Sequence, residues 1–492
     1  MNASLNAPDA SSNLGARAVR STAAAFSSQG ISFLVNLGVA IALARLLTPE
    51  DFGLFGIAFA VTGFLEFAKD GGMVVPVIQT ETLTSEQLDT LFWFNAGVGL
   101  LITVVAVVIA PLVGRVYSDA RLVPIISVLA LVFLSGGLST QHVALLRRQM
   151  RFSTLALCEI VALVLASCVA IIAALRGAAY WSLVCFQLAR EVVQTVLVII
   201  ATGWLPAWPR RWAAIGALVR FGGLMMVFDL IGYLNFKVDN LIVGWFLGPA
   251  ALGFYDKAYQ FLLMPVNQIN APLSSVVHAT LSRLQREPER YRDYLSRALF
   301  LGTALGMPLI AFCYANAHAI IAQLLGRQWL PSVPIFRALA PAAACMTITA
   351  SVGWIFLSLG RARRQLRWSS ITTAITVIAF VAGTHWGVVG VALAFSVTRV
   401  LLLLPTLIFT CAGSAVRWTG ILAIAARPAA ASAMALAASL SMNVLLPLSA
   451  WTLPLDVAVF AAVYTLCWMI VPGGRALVRE NLMRARTLYQ NA

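Results

Sequence analysis

The segment LLTPEDFGLF at residues 46–55 returns in a related form, FLGPAALGFY, at residues 246–255. Each segment joins the end of one long apolar run to the start of the next. The matching positions stay in register at an offset of 200 residues: Pro49 with Pro249, Gly53 with Gly253, and Phe55 with Tyr255. A match between two such joints predicts a chain built from two similar halves, as in many transporters.

The apolar runs around these joints indicate the class of protein. Hydrophobic residues make up 60% of the 492 positions and charged residues only 11%, with a mean hydropathy of +0.88. A soluble domain of this length would carry roughly twice that charged fraction. Many of the runs are long enough to cross a hydrocarbon core about 30 Å thick. We therefore predict an all-α membrane protein with about fourteen transmembrane helices.

The expected spans are apolar runs bounded by charge, proline or glycine. We place them at about 24–46, 54–77, 91–114, 122–146, 154–175, 181–203, 217–246, 250–281, 297–323, 333–358, 368–385, 387–411, 424–446 and 454–471. Arginines gather in every second connection, although the connection 78–90 carries only acidic charge. The positive-inside rule then places both termini in the cytoplasm. The net charge of +15 reflects this orientation and does not indicate a nucleic-acid partner.

The repeat and the span count together predict the organisation of the chain. Two six-helix lobes of the same orientation would be related by an axis along the membrane normal, with two helices added at the end. The predicted parts are a cytoplasmic tail 1–23, an N-lobe 24–203, a cytoplasmic linker 204–216, a C-lobe 217–411, two further spans within 412–471, and a basic cytoplasmic tail 472–492.

Ionisable residues inside the expected spans are the candidates for function, because burying a charge in hydrocarbon is costly. Four cations are predicted to line a cationic cavity for an anionic cargo: Lys69, Lys237, Lys257 and Arg399. Five carboxylates are candidates for the cavity or for a coupling ion, H⁺ or Na⁺: Glu66, Asp70, Asp229, Asp239 and Asp256. The alternative is structural pairing, since Glu66, Lys69 and Asp70 lie on one helix face.

Polar residues in the eighth expected span add to this set. Asn267 and Asn270 lie between Pro265 and Pro272, which predicts a bent polar helix beside a cavity. The alternative is a helix end that leaves the membrane. The seven cysteines and four histidines show no metal-ligand spacing, and no catalytic motif or large extramembrane domain is found, so neither a metal site nor an enzyme is expected.

The segment ARLLTPEDFGLFGIAFAVTGFLEFAKDGG at residues 44–72 resembles the polysaccharide transporter family, the Wzx-like flippases. Further matches are Phe92, Trp93 and Asn95, the connection LLRRQMRF at 145–152, and DNLIVGWFLGPAALGFYDKAYQ at 239–260. The resemblance covers most of the first eight spans. The family shares a superfamily with the multidrug (MATE) antiporters and the lipid II flippases, so the resemblance implies their two-lobe fold.

The resemblance also implies a function. Members of this family would move an undecaprenyl-diphosphate-linked oligosaccharide across the inner membrane by alternating access, with polysaccharide polymerase or export machinery as further partners. A cationic cavity suits such a cargo because its diphosphate is negatively charged. Two alternatives remain: an ion-coupled drug or metabolite antiporter of the same superfamily, and a membrane scaffold without transport.

Overall fold

A computed structural model of the chain describes residues 14–69, 77, 84–208, 215–216, 219–220, 238–445 and 452–470. Every regular element among these residues is a helix. The α-helices are α1 Leu14–Leu46, α2 Pro49–Lys69, α3 Ser85–Val116, α4 Leu122–Leu129, α5 Leu131–Arg148, α6 Phe152–Leu175, α7 Trp181–Thr202, α8 Val238–Leu247, α9 Pro249–Arg283, α10 Pro288–Ala315, α11 Ala317–Ile320, α12 Ser332–Ser358, α13 Ala362–Gly383, α14 Gly387–Cys411, α15 Trp418–Leu445 and α16 Thr452–Ile470.

Most helix ends lie within a few residues of the expected spans, and two differences have local causes. The span expected at 122–146 is broken into α4 and α5, because the amide of Phe133 donates to the carbonyl of Ala130 in a tighter turn. The span expected from about 297 begins at Pro288, a residue suited to the first turn of a helix. Nine helical stretches of the described residues are long and apolar enough to cross a membrane. The count of fourteen stays a prediction.

The chain divides into two compact units, Met1–Gly253 and Phe254–Ala492. In the first unit α6 packs on α7 and on α1, while α3 packs on α5. Cβ atoms added at Gly99 and Gly137 would meet the main chain of the opposite helix, so α3 and α5 approach closely at this crossing. Large apolar side chains point outward along α3, among them Leu101 and Val108, as expected of a surface that faces lipid.

In the second unit α12 packs on α14, α10 packs on α15, and α15 packs on α16. The core includes Leu281, Tyr291, Leu299, Trp354 and Leu407. Two arginines at the start of α13, Arg361 just before the helix and Arg364 in its first turn, bind the end of α14. Arg364 donates to the carbonyls of Phe409 and Ala412 at 2.7 and 2.8 Å, and Arg361 donates to Ala412 at 3.0 Å. Cationic side chains at a helix C-terminus stabilise its unpaired carbonyls.

Candidate functional site

The first joint of the repeat is fixed by side-chain hydrogen bonds. Thr48 lies before Pro49, and its backbone N and Oγ1 donate to Asp51 Oδ2 at 2.9 and 2.7 Å. The amide of Asp51 in turn donates to Thr48 Oγ1 at 3.3 Å. Asp51 Oδ1 also accepts from the amide of Tyr180 at 3.1 Å, just before α7. This reciprocal cap satisfies the start of α2 and ties it to the start of α7.

An ion pair adds a second anchor to the first joint. Arg121, in the connection between α3 and α4, donates from Nη2 to Glu50 Oε1 at 2.8 Å. It also donates from Nε to Asp119 Oδ1 at 3.0 Å. The hydrogen bonds from Arg121 hold the pKa of Asp119 below its ordinary value. Both anchors together connect the start of α2 to two other parts of the first unit.

The second joint lacks the side chains that make these anchors. Gly248, Ala250 and Ala251 stand at the positions of Thr48, Glu50 and Asp51. Gly248 adopts φ +85°, which suits glycine at the end of a helix. Its amide donates to the carbonyl of Gly244 at 3.2 Å, and its carbonyl accepts from the amide of Leu252 at 3.2 Å. Main-chain hydrogen bonds therefore connect Gly248 of the second joint to α8 on one side and to α9 on the other.

The repeated glycines meet the repeated prolines across the two joints. A Cβ atom added at Gly53 would overlap the main chain of Pro249, and one added at Gly253 would overlap the main chain of Pro49. All four residues belong to the first compact unit. The first turns of α2 and α9 thus cross in main-chain contact, in a nearly reciprocal arrangement. The prolines and glycines that occur at both joints are the residues that make this crossing.

Lys257 lies in α9, two residues after Tyr255. Its side chain is 5% exposed, and Nζ donates to Gln260 Oε1 at 3.0 Å. Tyr255 and Tyr259 stack on the other side of the same helix, with ring centroids 6.2 Å apart. Because residues two positions apart point to opposite sides of an α-helix, Lys257 faces away from this pair of rings. Lys257 is therefore a buried cation that is hydrogen-bonded to the polar side chain of Gln260.

Arg399 lies in α14 at the end of a row of aromatic rings. Its guanidinium stands over the ring of Phe395, 5.0 Å from the centroid. Phe395 lies 6.1 Å from Tyr259 and 5.6 Å from Phe380 between centroids. The Nε of Arg399 is buried and has no hydrogen-bond partner in the described part of the chain. Arg399 is linked through Phe395 to Tyr259, on the side of α9 opposite Lys257. The sharing of one cavity by Arg399 and Lys257 stays a prediction.

The structure describes some of the other candidate residues and leaves the rest undescribed. Asp70, Asp229 and Lys237 lie outside the described residues, as does the side chain of Lys69, the last residue of α2. Among the rest, Glu66, Asp256 and Asn270 are half-buried, Asp239 is buried and Asn267 is exposed. Asp239 Oδ1 accepts from the amide of Asn240 at 2.9 Å. The amide oxygen of Asn270 points toward Gly302 of α10. These placements leave the predicted roles of the set as predictions.

Arg337 and Asp456 lie inside expected spans and are among the ionisable residues absent from the candidates predicted above. Arg337 in α12 donates from Nε to the carbonyl of Tyr314 at 3.3 Å and lines a groove of about 680 Å³ between α12 and α14. Asp456 in α16 is 1% exposed. Each lies a few residues inside the expected bounds 333–358 and 454–471. A scan that retained charges near the span ends would have found both.

A known protein family resembles the part of the chain that contains the two joints. A family model described as polysaccharide biosynthesis protein matches residues 42–334, a range that includes both joints. The teichuronic acid biosynthesis protein TuaB of Bacillus subtilis is 27% identical over 347 residues, which cover 70% of this chain and 72% of that protein. The succinoglycan biosynthesis transport protein ExoT of Rhizobium meliloti is 25% identical over 345 residues, 69% of each chain. The resemblance seen at residues 44–72 is confirmed.

The fold class is also confirmed by a solved structure. The lipid II flippase MurJ in an inward closed conformation superposes with a TM-score of 0.75. The likeness covers 94% of this chain and 100% of that one at 15% sequence identity. At such low identity the likeness establishes the fold alone. The all-helical membrane architecture of the lipid II flippase kind is therefore the architecture of this chain.

Proposed function

The chain belongs to the polysaccharide biosynthesis protein family, and from this membership we propose that it is a flippase for an undecaprenyl-diphosphate-linked oligosaccharide. The cargo moves from the cytoplasmic to the periplasmic leaflet by alternating access, and serves lipopolysaccharide or exopolysaccharide synthesis. The main support for this proposal is the family match across residues 42–334. The names of ExoT and MurJ, a transport protein and a flippase, support movement of a cargo and not covalent catalysis.

The buried cations are the proposed contacts of the cargo. A diphosphate that crosses hydrocarbon loses its hydration, so positive side chains on its path lower the cost. Lys257 and Arg399 are placed inside the second unit with low or partial exposure, and Lys69 and Lys237 complete the proposed set. The predicted carboxylates Glu66, Asp70, Asp229, Asp239 and Asp256 are proposed to bind H⁺ or Na⁺ as the coupling ion, and Asn267 and Asn270 to contact the cargo.

The proposed setting is the bacterial inner membrane, with both termini in the cytoplasm. The alternation of basic connections supports this orientation. In it, both joints lie on the periplasmic side, and the arginines that bind the end of α14 lie on the cytoplasmic side. The polymerase or export machinery that uses the flipped oligosaccharide is the proposed partner.

The test begins with deletion of the gene in its native cell. We expect lipid-linked oligosaccharide to accumulate with its sugar accessible only from the cytoplasm, and surface polymer to be lost. Normal polymer production in the deletion strain would contradict the proposal. Normal polymer together with altered drug susceptibility would instead indicate the antiporter alternative.

The cationic contacts are tested by complementation of the same strain. Lys257→Met keeps a long unbranched side chain and removes the charge, so we expect the protein to reach the membrane but polymer output to fall at least about tenfold, the effect of about 1.4 kcal/mol. Arg286→Met removes one charge from an exposed position between α9 and α10 and should restore full output. Equal output from both variants would remove Lys257 from the proposed contacts.

A further inference from the structure

Three elements of the second unit bring polar side chains together in apolar surroundings. Asn316 follows the end of α10, Ser439 lies in α15 and Asp456 lies in α16. Their exposed fractions are 1%, 0% and 1%. Ser439 Oγ donates to Asp456 Oδ2 at 2.6 Å. The amide Nδ2 of Asn316 donates to the same oxygen and lies 3.4 Å from Ser439 Oγ.

Within the part of the chain that the structure describes, two oxygen atoms of this cluster find no hydrogen-bond partner. They are Asp456 Oδ1 and Asn316 Oδ1, each fully buried. An unsatisfied buried acceptor destabilises the folded state, and a buried carboxylate without an opposite charge destabilises it further. The donors that reach Asp456 among the described residues are a neutral hydroxyl and a neutral amide. A positive charge beside these two oxygen atoms would therefore stabilise the buried carboxylate.

We propose that Asp456, Asn316 and Ser439 form a binding site for a monovalent cation of the size of Na⁺. Carboxylate, amide and hydroxyl oxygens are the ligands that hard cations prefer. The cluster contains a single carboxylate, so one positive charge balances it. The oxygens Asp456 Oδ1 and Asn316 Oδ1 are the primary ligands, and the lone pair of Ser439 Oγ that does not accept from Asn316 Nδ2 supplies a third.

The site has a structural consequence for the last two helices. Its ligands come from α15, from α16 and from the end of α10, so a bound cation joins the final helix pair to the rest of the unit. Asn443 of α15 adds a neighbouring contact, donating to the carbonyl of Ala315 at 3.4 Å. These helices lie beyond the range of the family match. The site does not depend on the cargo proposed above, and its failure would leave that proposal standing.

Thermal unfolding of the purified full-length protein in detergent tests the site. NaCl is titrated against choline chloride at constant ionic strength and neutral pH. We expect the melting temperature to rise with the logarithm of the Na⁺ concentration once that concentration exceeds the dissociation constant, because a ligand at free concentration L that binds only the folded state stabilises it by RT ln(1 + L/Kd). A wild-type melting temperature that is equal in the two salts would overturn the site.

Variants identify the ligands in the same titration. Asp456→Asn keeps the shape and removes the charge, so the Na⁺-dependent shift should be lost. Ser439→Ala removes the third ligand and should raise the Na⁺ concentration at which stabilisation begins by about tenfold, a scale typical of losing one group around a metal site. The matched control is Asp293→Asn, which removes an exposed carboxylate from α10 and should keep the full shift.

The remaining outcomes also decide the question. A Na⁺ shift that survives in Asp456→Asn would place the cation elsewhere and overturn the proposal. Stabilisation by acid without any response to Na⁺ would mean that the carboxyl holds a proton, and would overturn it as well. If Asp456→Asn does not fold, the wild-type titration and the binding of radioactive sodium to wild type and Ser439→Ala decide the matter without it.

Discussion

The two joints of the repeat keep the same main-chain contact but differ in their side-chain anchors. Both helices that leave the joints begin at a proline, and each joint glycine packs on the main chain of the other joint's proline. The first joint adds a reciprocal cap and an ion pair, while the second has glycine and alanine at the corresponding positions. The repeat has thus kept the residues that the crossing requires. The anchors are specific to the first joint.

The glycines of the crossing should give the largest effect. Gly53→Ala and Gly253→Ala each place a Cβ atom in the main chain of the opposite helix, so the helices must separate. We expect each variant to lose about 1–3 kcal/mol of stability and most of its polymer output. Thermal unfolding and complementation of the deletion strain measure the two effects.

The control for the glycine pair is Gly97→Ala in α3, where an added Cβ meets nothing within 4 Å. This variant should be as stable as the wild type or slightly more stable, since alanine favours the helix. If the joint variants match Gly97→Ala in melting temperature, the close crossing is not a feature of the folded protein.

The cap of the first joint should give the second-largest effect. Asp51→Ala leaves the amides of Thr48 and Tyr180 without their acceptor, so we expect a loss of about 1–2 kcal/mol. The corresponding change at the second joint, Ala251→Ser, disrupts no cap and should change stability little. Thermal unfolding of the two variants compares the joints directly. A larger loss at Ala251 would reverse the assignment of the anchored joint.

The ion pair at Arg121 should give the smallest effect, one that depends on pH. Hydrogen bonds from Arg121 lower the pKa of Asp119 from its ordinary 3.8 in the folded protein. A lowered carboxyl pKa gives stability that is complete above 3.8 and is lost as the pH falls through the folded value. The melting temperature of Asp119→Asn should therefore lie below that of the wild type at neutral pH and approach it in acid. A difference that widens in acid would contradict this sign.

Hydropathy and repeat matching predicted much of the architecture. Each described helix from α2 to α16 either matches an expected span or forms part of one. A spanning helix needs a long apolar run whatever it packs against, so such runs are readable from the sequence. The glycine and proline positions were also visible, since backbone requirements restrict the residue type. The family resemblance rested on the same segment and was confirmed.

The polar contacts were not predictable in the same way. Asp51 meets Tyr180 across 129 positions, and Arg121 meets Glu50 across 71, so each depends on which helices pack side by side. The cluster at Asp456 joins residues up to 140 positions apart. Spacing in the sequence shows which residues are neighbours on one helix. It does not show which residues meet when three helices pack together. For the same reason, the grouping of Lys257 and Arg399 in one cavity stays a prediction.

The most direct test of the proposed transport is reconstitution of the purified full-length chain into liposomes. The vesicles contain a fluorescent undecaprenyl-diphosphate oligosaccharide, and a membrane-impermeant reagent destroys only the outward-facing label. We predict that the protein makes the label in both leaflets accessible, while empty vesicles and vesicles with Gly53→Ala protect the inner half. Equal protection in wild-type and empty vesicles, with the protein folded, would contradict the proposed flippase activity.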